Sequence, residues 1–284
     1  ATPPCLPPAR VWPYRDNTPW RSELGDRIVG AVAPSLKEDD CDGFTQSPET
    51  VWCNLAMRGE GTVGMSFSRN EVDAWSERLL DEFGTPSKLY NCFLKPQEGS
   101  DNDKYEVVRT CLGPRKGEFE RREFETVDYL LKDQGPLGAH LKIDTEVTGW
   151  RTLEQLVTTT EVIARIRTLD IRIIIGARSR ADNQAEFDAV PDKLRVERQI
   201  QIMEALQAVF YVVGSDIESY RQGWRPEMDC PKGTCLEPVL HTSGGFSAGR
   251  FTASYVNRAV FQGPAAEPVR PAALPVLAPL AVPL

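Results

Sequence analysis

The chain has 284 residues, of which 41% are hydrophobic and 26% charged, a core-forming mixture that excludes a disordered protein and favours one large domain with extensions. Its 33 basic and 41 acidic side chains leave a net charge of -8, so no general field holds a phosphate backbone and nucleic acid is not expected as a partner. The most hydrophobic run, 272–284, is broken by Pro275, Pro279 and Pro283, so no stretch reaches the roughly 18 apolar residues of a spanning helix; peripheral attachment to a membrane complex stays open.

Prolines divide the chain. Six lie in residues 1–19 and six in 264–284, against ten in the 244 residues between. Residues 1–19 and 264–284 therefore read as Pro-rich arms that lack backbone donors at intervals, and 20–263 as the folded body. An apolar arm offsets its conformational entropy only by lying on a surface, this protein's own or a partner protein's. The first residue is Ala1, which reads as a processed mature chain, in a secretory or organelle lumen in preference to the cytosol.

Within the body, GTVGMSF (61–67) is a short apolar strand. It leads into a helix over which Val72, Trp75, Leu79, Leu80 and Phe83 recur at helical spacing, closed by Gly84 and Pro86. SKLYNCFL then has strand character, completing a β-α-β unit. A second cycle runs from a helix in TVDYLLKDQG (126–135) to the strand AHLKID (139–144). The helix TLEQLV precedes IRTLDIRIIIG (166–176), which alternates and then becomes fully apolar, as an inner parallel strand does. A helix around 196–208 precedes the strand VFYVVGS, and GRFTASYVNRAVF (249–261) reads as an antiparallel edge strand. The fold class is α/β: a doubly wound, mostly parallel, Rossmann-like sheet with an antiparallel edge strand.

Ligands of such sheets bind beyond the carboxyl ends of the strands. The residues expected there are Ser66, Ser68, Arg69 and Asn70 after the first strand, Asn91 and Lys95 after the second, and Asp144 and Glu146 after the LKID strand. Asp144 and Glu146 stand two apart, so both carboxylates are expected on one side, a costly arrangement unless a ligand or donors share them. Asp216, Glu218, Arg221 and Trp224 form a lesser candidate cluster, His241 a candidate base, and Arg178 and Arg180 a candidate anion grip. Of the seven cysteines, Cys230 and Cys235 in DCPKGTC are the closest pair, compatible with a disulfide, free thiols or half a zinc site; no metal site is expected. No G-x-S-x-G, Walker, G-x-G-x-x-G or H-E-x-x-H motif occurs, so hydrolase, NTPase, dehydrogenase and zinc-peptidase readings lose their support.

LKIDTEVTGW (141–150) resembles the fourth-strand pattern LKID-x-EG-x-E-W of the FkbM-type methyltransferase-like family, through Leu141, Lys142, Ile143, Asp144, Glu146 and Trp150. Val147 stands where the family has Gly, and Gly149 where it has an acid. VGMSFSRNEVDAWSERLLDEFG, LYNCF, YRQGWRPEMDC, EPVLHTSGGFS and FTASYVNRAVF are similar to its eukaryotic branch of S-adenosylmethionine-dependent domains, over about residues 50–262. The resemblance implies a seven-stranded class I methyltransferase-like fold that binds S-adenosylmethionine through Gly64, Ser66, Ser68, Asn91, Asp144 and Glu146. It also implies a Gly-rich first loop and a ribose-binding acid after the second strand. Here the loop is MSFSRNE, with no Gly after Gly64, and neither Asn91 nor Lys95 is an acid. The expectation is a catalytically degenerate domain serving as a structural subunit or scaffold, fastened by its arms. The alternative is an active O- or N-methyltransferase, whose in-line transfer needs mostly positioning and leaves few catalytic side chains to see.

Overall fold

The computed structural model of the chain describes residues 27–28, 30–47, 50–70, 72–94, 103–113, 115–119, 121–146, 149–175, 192–219 and 249–262. Both Pro-rich arms, Cys5, Lys95, Arg178, Arg180, Arg221, Trp224, Cys230, Cys235 and His241 lie outside the described residues.

An N-terminal hairpin, β1 (Phe44–Gln46) and β2 (Val51–Cys53), leads through the short helix α1 (Asn54–Met57) into β3 (Val63–Ser68). Helix α2 (Ala74–Phe83) follows, then β4 (Ser87–Tyr90) and β5 (Glu106–Val108). A small sheet is built from β6 (Thr110–Leu112), β7 (Gly117–Phe119) and β8 (Arg122–Glu125). After it come α3 (Val127–Leu131), β9 (Ala139–Glu146), α4 (Gly149–Thr158), α5 (Thr160–Ile163) and β10 (Ile166–Ile175). The chain continues with α6 (Asp192–Val209), β11 (Phe210–Ser219) and β12 (Gly249–Asn257).

The main sheet has seven strands in the order β11-β12-β10-β9-β3-β4-β5. Strands β10, β9, β3, β4 and β5 pair in parallel, while β12 runs antiparallel to both β10 and β11. The strand expected at the edge is thus antiparallel, as its alternation predicts, but lies one place in from the edge, with β11 outside it. The order reverses between β3 and β9, which makes their carboxyl ends the topological switch point.

One face of this sheet is apolar. Phe67, Leu141, Ile143, Leu169, Ile173 and Tyr255 are buried against Trp150, Leu153, Leu156 and Val157 of α4 and Ile200, Met203 and Leu206 of α6. Full burial of such side chains stabilises by about 1.5–3 kcal/mol each, an upper estimate because the unfolded chain is itself partly collapsed.

The opposite face is polar and equally buried. Register aligns Ser66 with Lys142, Lys142 with Asp170 and Asp170 with Ser254, a row of four polar residues across four strands. Helix α2 and the N-terminal hairpin cover it together. Trp52 of β2 and Trp75 of α2 meet edge to face, with ring centroids 6.1 Å apart, and both donate their indole N–H to Asp170 Oδ2, at 2.8 and 2.7 Å. The hairpin is further tied to β12 by the Val51 N–H, which donates to Ser254 Oγ at 3.0 Å. Residues that precede the first β-α-β unit therefore serve as the lid of the core.

Gly84 ends α2 with φ 68° and donates its N–H to the Leu80 carbonyl, the left-handed helix stop that its position predicts. Two disulfides, Cys41–Cys53 and Cys92–Cys111, close loops of 12 and 19 residues in separation; neither pairing follows from sequence spacing. Among the described residues no helix is long and apolar enough to cross a membrane.

Candidate functional site

At the switch point, register sets Ser68, the last residue of β3, beside Asp144 of β9. Both are buried, and the Asp144 carboxylate faces Arg172 of β10, with Oδ2 3.5 Å from Nη1. A bulge lies in β9 here. Between Ile171 and Ile173, two steps on β10 match three on β9, from Ile143 to Glu146. Bulges of this kind break the alternation of a strand and re-aim its residues. Glu146 consequently registers with Ile173, a position of the apolar row, whereas Asp144 belongs to the polar row with Ser68.

The loop after β3 is anchored from below. Lys142 Nζ donates to Asp73 Oδ1 at 3.0 Å, with side-chain exposures of 6% and 0%, and Ser76 Oγ donates to Asp73 Oδ2. The Asp73 N–H donates to the Tyr105 hydroxyl at 3.1 Å. Lys142, part of the LKID motif, thus fixes the start of α2 to β9. A buried ion pair with its lone pairs satisfied in this way fixes geometry more surely than it adds stability.

Asn91 follows β4 and is 1% exposed. Its Nδ2 donates to the Asn70 carbonyl at 3.0 Å, its Oδ1 accepts the Phe93 N–H at 2.9 Å, and its own N–H donates to the Val108 carbonyl at 2.9 Å. Both polar ends of the side chain are therefore engaged by this chain's own backbone. The Phe93 ring beside it carries the guanidinium groups of Arg69 and Arg122, each 4.6 Å from the ring centroid. Tyr90, stacked on Phe67 at 4.8 Å, has its hydroxyl pushed up to about 12 by burial and then by the charge of Glu106, so it is neutral at every working pH.

Two of the remaining predicted residues lie away from the carboxyl edge. Ser66 sits within the body of β3, fully buried, and among the described residues its Oγ has no hydrogen-bond partner. Gly64 is near the amino end of β3, where a Cβ would meet Leu79 Cδ2 at 2.4 Å and Ser87 Cβ at 2.6 Å; its role is to let α2 pack closely on the sheet. Asp216 and Glu218 fall within β11 and not in a loop. The structure brings together Ser68, Asn70, Asn91 and Asp144 near the switch point. Sequence reading missed Asp73, Lys142, Tyr105 and Phe93 as members of this site. The LKID match quoted Lys142 but offered no sign of its partner 69 positions away.

A scan against protein-family models finds no match, and a search of curated proteins finds none. Among solved structures, the chain is similar to the crystal structure of a mutant 16S rRNA (adenine(1408)-N(1))-methyltransferase from Catenulisporales acidiphilia, at 10% identity and a TM-score of 0.29, over 78% of this chain and 92% of that chain. The strand order and register define the class by themselves: a Rossmann-like α/β domain with a seven-stranded, mostly parallel sheet.

Proposed function

We propose that the chain is a divergent, catalytically degenerate member of the FkbM-type methyltransferase-like family that acts as a structural subunit or scaffold in a larger assembly. The observation that carries this reading is the engagement of Asn91. The resemblance places a ribose-binding acid near Asn91 or Lys95; Asn91 is not an acid, and its side chain already bonds the Asn70 carbonyl and the Phe93 N–H. The first loop has no glycine to admit a ligand, and Gly64 is filled by packing. In this reading residues 20–263 form the body and the Pro-rich arms 1–19 and 264–284 fasten it to protein partners. The two disulfides support an oxidising compartment, in agreement with a secretory or organelle lumen.

Titration calorimetry with S-adenosylmethionine and S-adenosylhomocysteine tests the proposal. The degenerate domain gives no heat at millimolar ligand, and micromolar binding overturns it. One observation favours the second reading, an active O- or N-methyltransferase: Asp144 and Ser68 lie side by side at the switch point, where that reading has them contact the cofactor or orient the acceptor.

A further inference from the structure

We propose that residues 272–284 of the C-terminal arm dock, as a polyproline helix, on an apolar corner of a second copy of this chain, so that two copies exchange arms and form a closed pair. The inference rests on the reading of the arms as fasteners, and it names their partner.

The corner lies where the N-terminal hairpin meets β11 and the end of the body. Leu36, Phe44, Val51, Val260 and Phe261 stand partly exposed over a buried cluster of Cys41, Cys53, Ala56, Val213 and Val256. Tyr211, also partly exposed, meets Phe261 edge to face with ring centroids 5.6 Å apart. The Arg258 guanidinium, which donates to the Gln207 carbonyl, lies 4.2 Å from the centroid of the Tyr211 ring and helps to hold it. Aromatic-lined apolar surfaces of this kind are what proline-rich segments recognise.

The arm carries a matching edge. A polyproline helix has three residues per turn and rises about 3.1 Å per residue. At that period Leu274, Leu277 and Leu280 fall on one edge, about 9 Å apart, and Pro283 continues it. Residues 272–284 contain no charged side chain, so burying this edge desolvates no ion. The fixed φ of Pro275, Pro279 and Pro283 lowers the entropy lost on docking.

The position of the corner selects a second copy over the chain's own arm. Phe261 belongs to the corner, and Gln262 is the last described residue. Between it and the leucine edge stands PAAEPVRP (264–271), whose prolines at 264, 268 and 271 make a semi-rigid spacer of about 25 Å. A spacer that starts at the corner and runs straight for that distance takes the leucines away from it and toward a neighbour. Two such exchanges about a twofold axis fill both corners and leave no open end.

The test follows the full chain by analytical ultracentrifugation over a concentration series. The exchange predicts a pair that becomes monomeric when the chain is cut after Gly263. Leu274→Asp/Leu277→Asp/Leu280→Asp, which alters no residue of the body, should weaken self-association at least about tenfold. Phe261→Asp should do the same from the corner side, with circular dichroism checking that the body stays folded. In a mixture of isotopically heavy and light copies, a photoreactive leucine analogue at position 277 should couple the arm of one copy to the body of the other. A monomeric full chain, a pair that survives loss of the arm, or coupling confined to single copies overturns the exchange and leaves the scaffold reading in need of another partner. Heat with S-adenosylmethionine would instead defeat the degenerate-domain reading, and is measured separately.

Discussion

Asn91 donates its side-chain amide to the carbonyl oxygen of Asn70 across 3.0 Å, and this bond joins the loops after β3 and β4 of the main sheet. In an open doubly wound sheet those loops part to admit a ligand. Here the side chain just after β4 donates to the backbone of the loop after β3.

Replacing Asn91 should therefore cost stability. Asn91→Ala leaves the Asn70 carbonyl and the Phe93 N–H without their partner and should lower unfolding free energy by about 1–2 kcal/mol. Asn91→Asp keeps the acceptor for Phe93 but sets an oxygen against the Asn70 carbonyl in a buried position, and should cost about 2–3 kcal/mol. Urea denaturation of the two variants checks both the direction and the order.

Asp170 should be among the costliest single truncations in the polar face. Its Oδ2 accepts both indole N–H groups, and its carboxyl is raised by burial against the opposing effect of its hydrogen bonds. Asp170→Ala strands two buried donors and should destabilise by about 3–5 kcal/mol, whereas Asp170→Asn, which retains an oxygen for the indoles, should cost less than half of that. Near-ultraviolet circular dichroism of the tryptophans, followed through thermal unfolding, reads both changes.

Acid should destabilise the fold through His140. Burial first, and the charge of Arg167 second, lower its imidazole from 6.5 to about 3, while its ring nitrogens meet Thr168 Oγ1 at 2.8 Å and Thr62 Oγ1 at 3.2 Å. The folded state holds the neutral ring, so this contribution is complete above pH 6.5 and is lost as the pH falls from 6.5 toward 3, by about 3 kcal/mol at pH 4. Asp170 acts with the opposite sign: its raised carboxyl binds a proton more readily when folded, which adds relative stability as the pH falls. Comparing stability from pH 7 to 4 in the wild type and in His140→Gln isolates the histidine slope, which should flatten in the variant.

Gly64 gives a prediction that separates packing from ligand binding. Gly64→Ala drives a methyl into Leu79 and Ser87 and should cost about 1–3 kcal/mol, read as a lower midpoint in guanidinium. A glycine kept for close approach of a cofactor would instead tolerate alanine in the free protein.

Long periodic elements were legible from the sequence. The apolar run of β3, the helical spacing of Trp75, Leu79 and Phe83, and the Gly84 stop all stand where their patterns put them, because each is decided by contacts a few residues apart. Val72 is the exception: counted in the helix, it precedes it and is 65% exposed. Strands β1, β2, β5, β6 and β7 have three residues each, too short to show a period, and the pairing of β5 with β4 and of β6 with β8 depends on partners more distant in the chain. The same holds for both disulfides and for the place of β12, whose alternation reveals its character but not its neighbours. The neighbouring positions of Ser68 and Asp144 at the ends of β3 and β9 follow from strand ends, which can be read. The bulge in the β9 ladder beyond Ile143 is not legible, since no local pattern announces the extra residue.

The most direct measurement is a crystal structure of the oxidised chain grown with excess S-adenosylhomocysteine. The account predicts an edge of β3 and β4 free of nucleoside, with the Asn91 amide still on the Asn70 carbonyl. A ribose bound beside Ser68 and Asn91, with that hydrogen bond broken to receive it, would contradict the account.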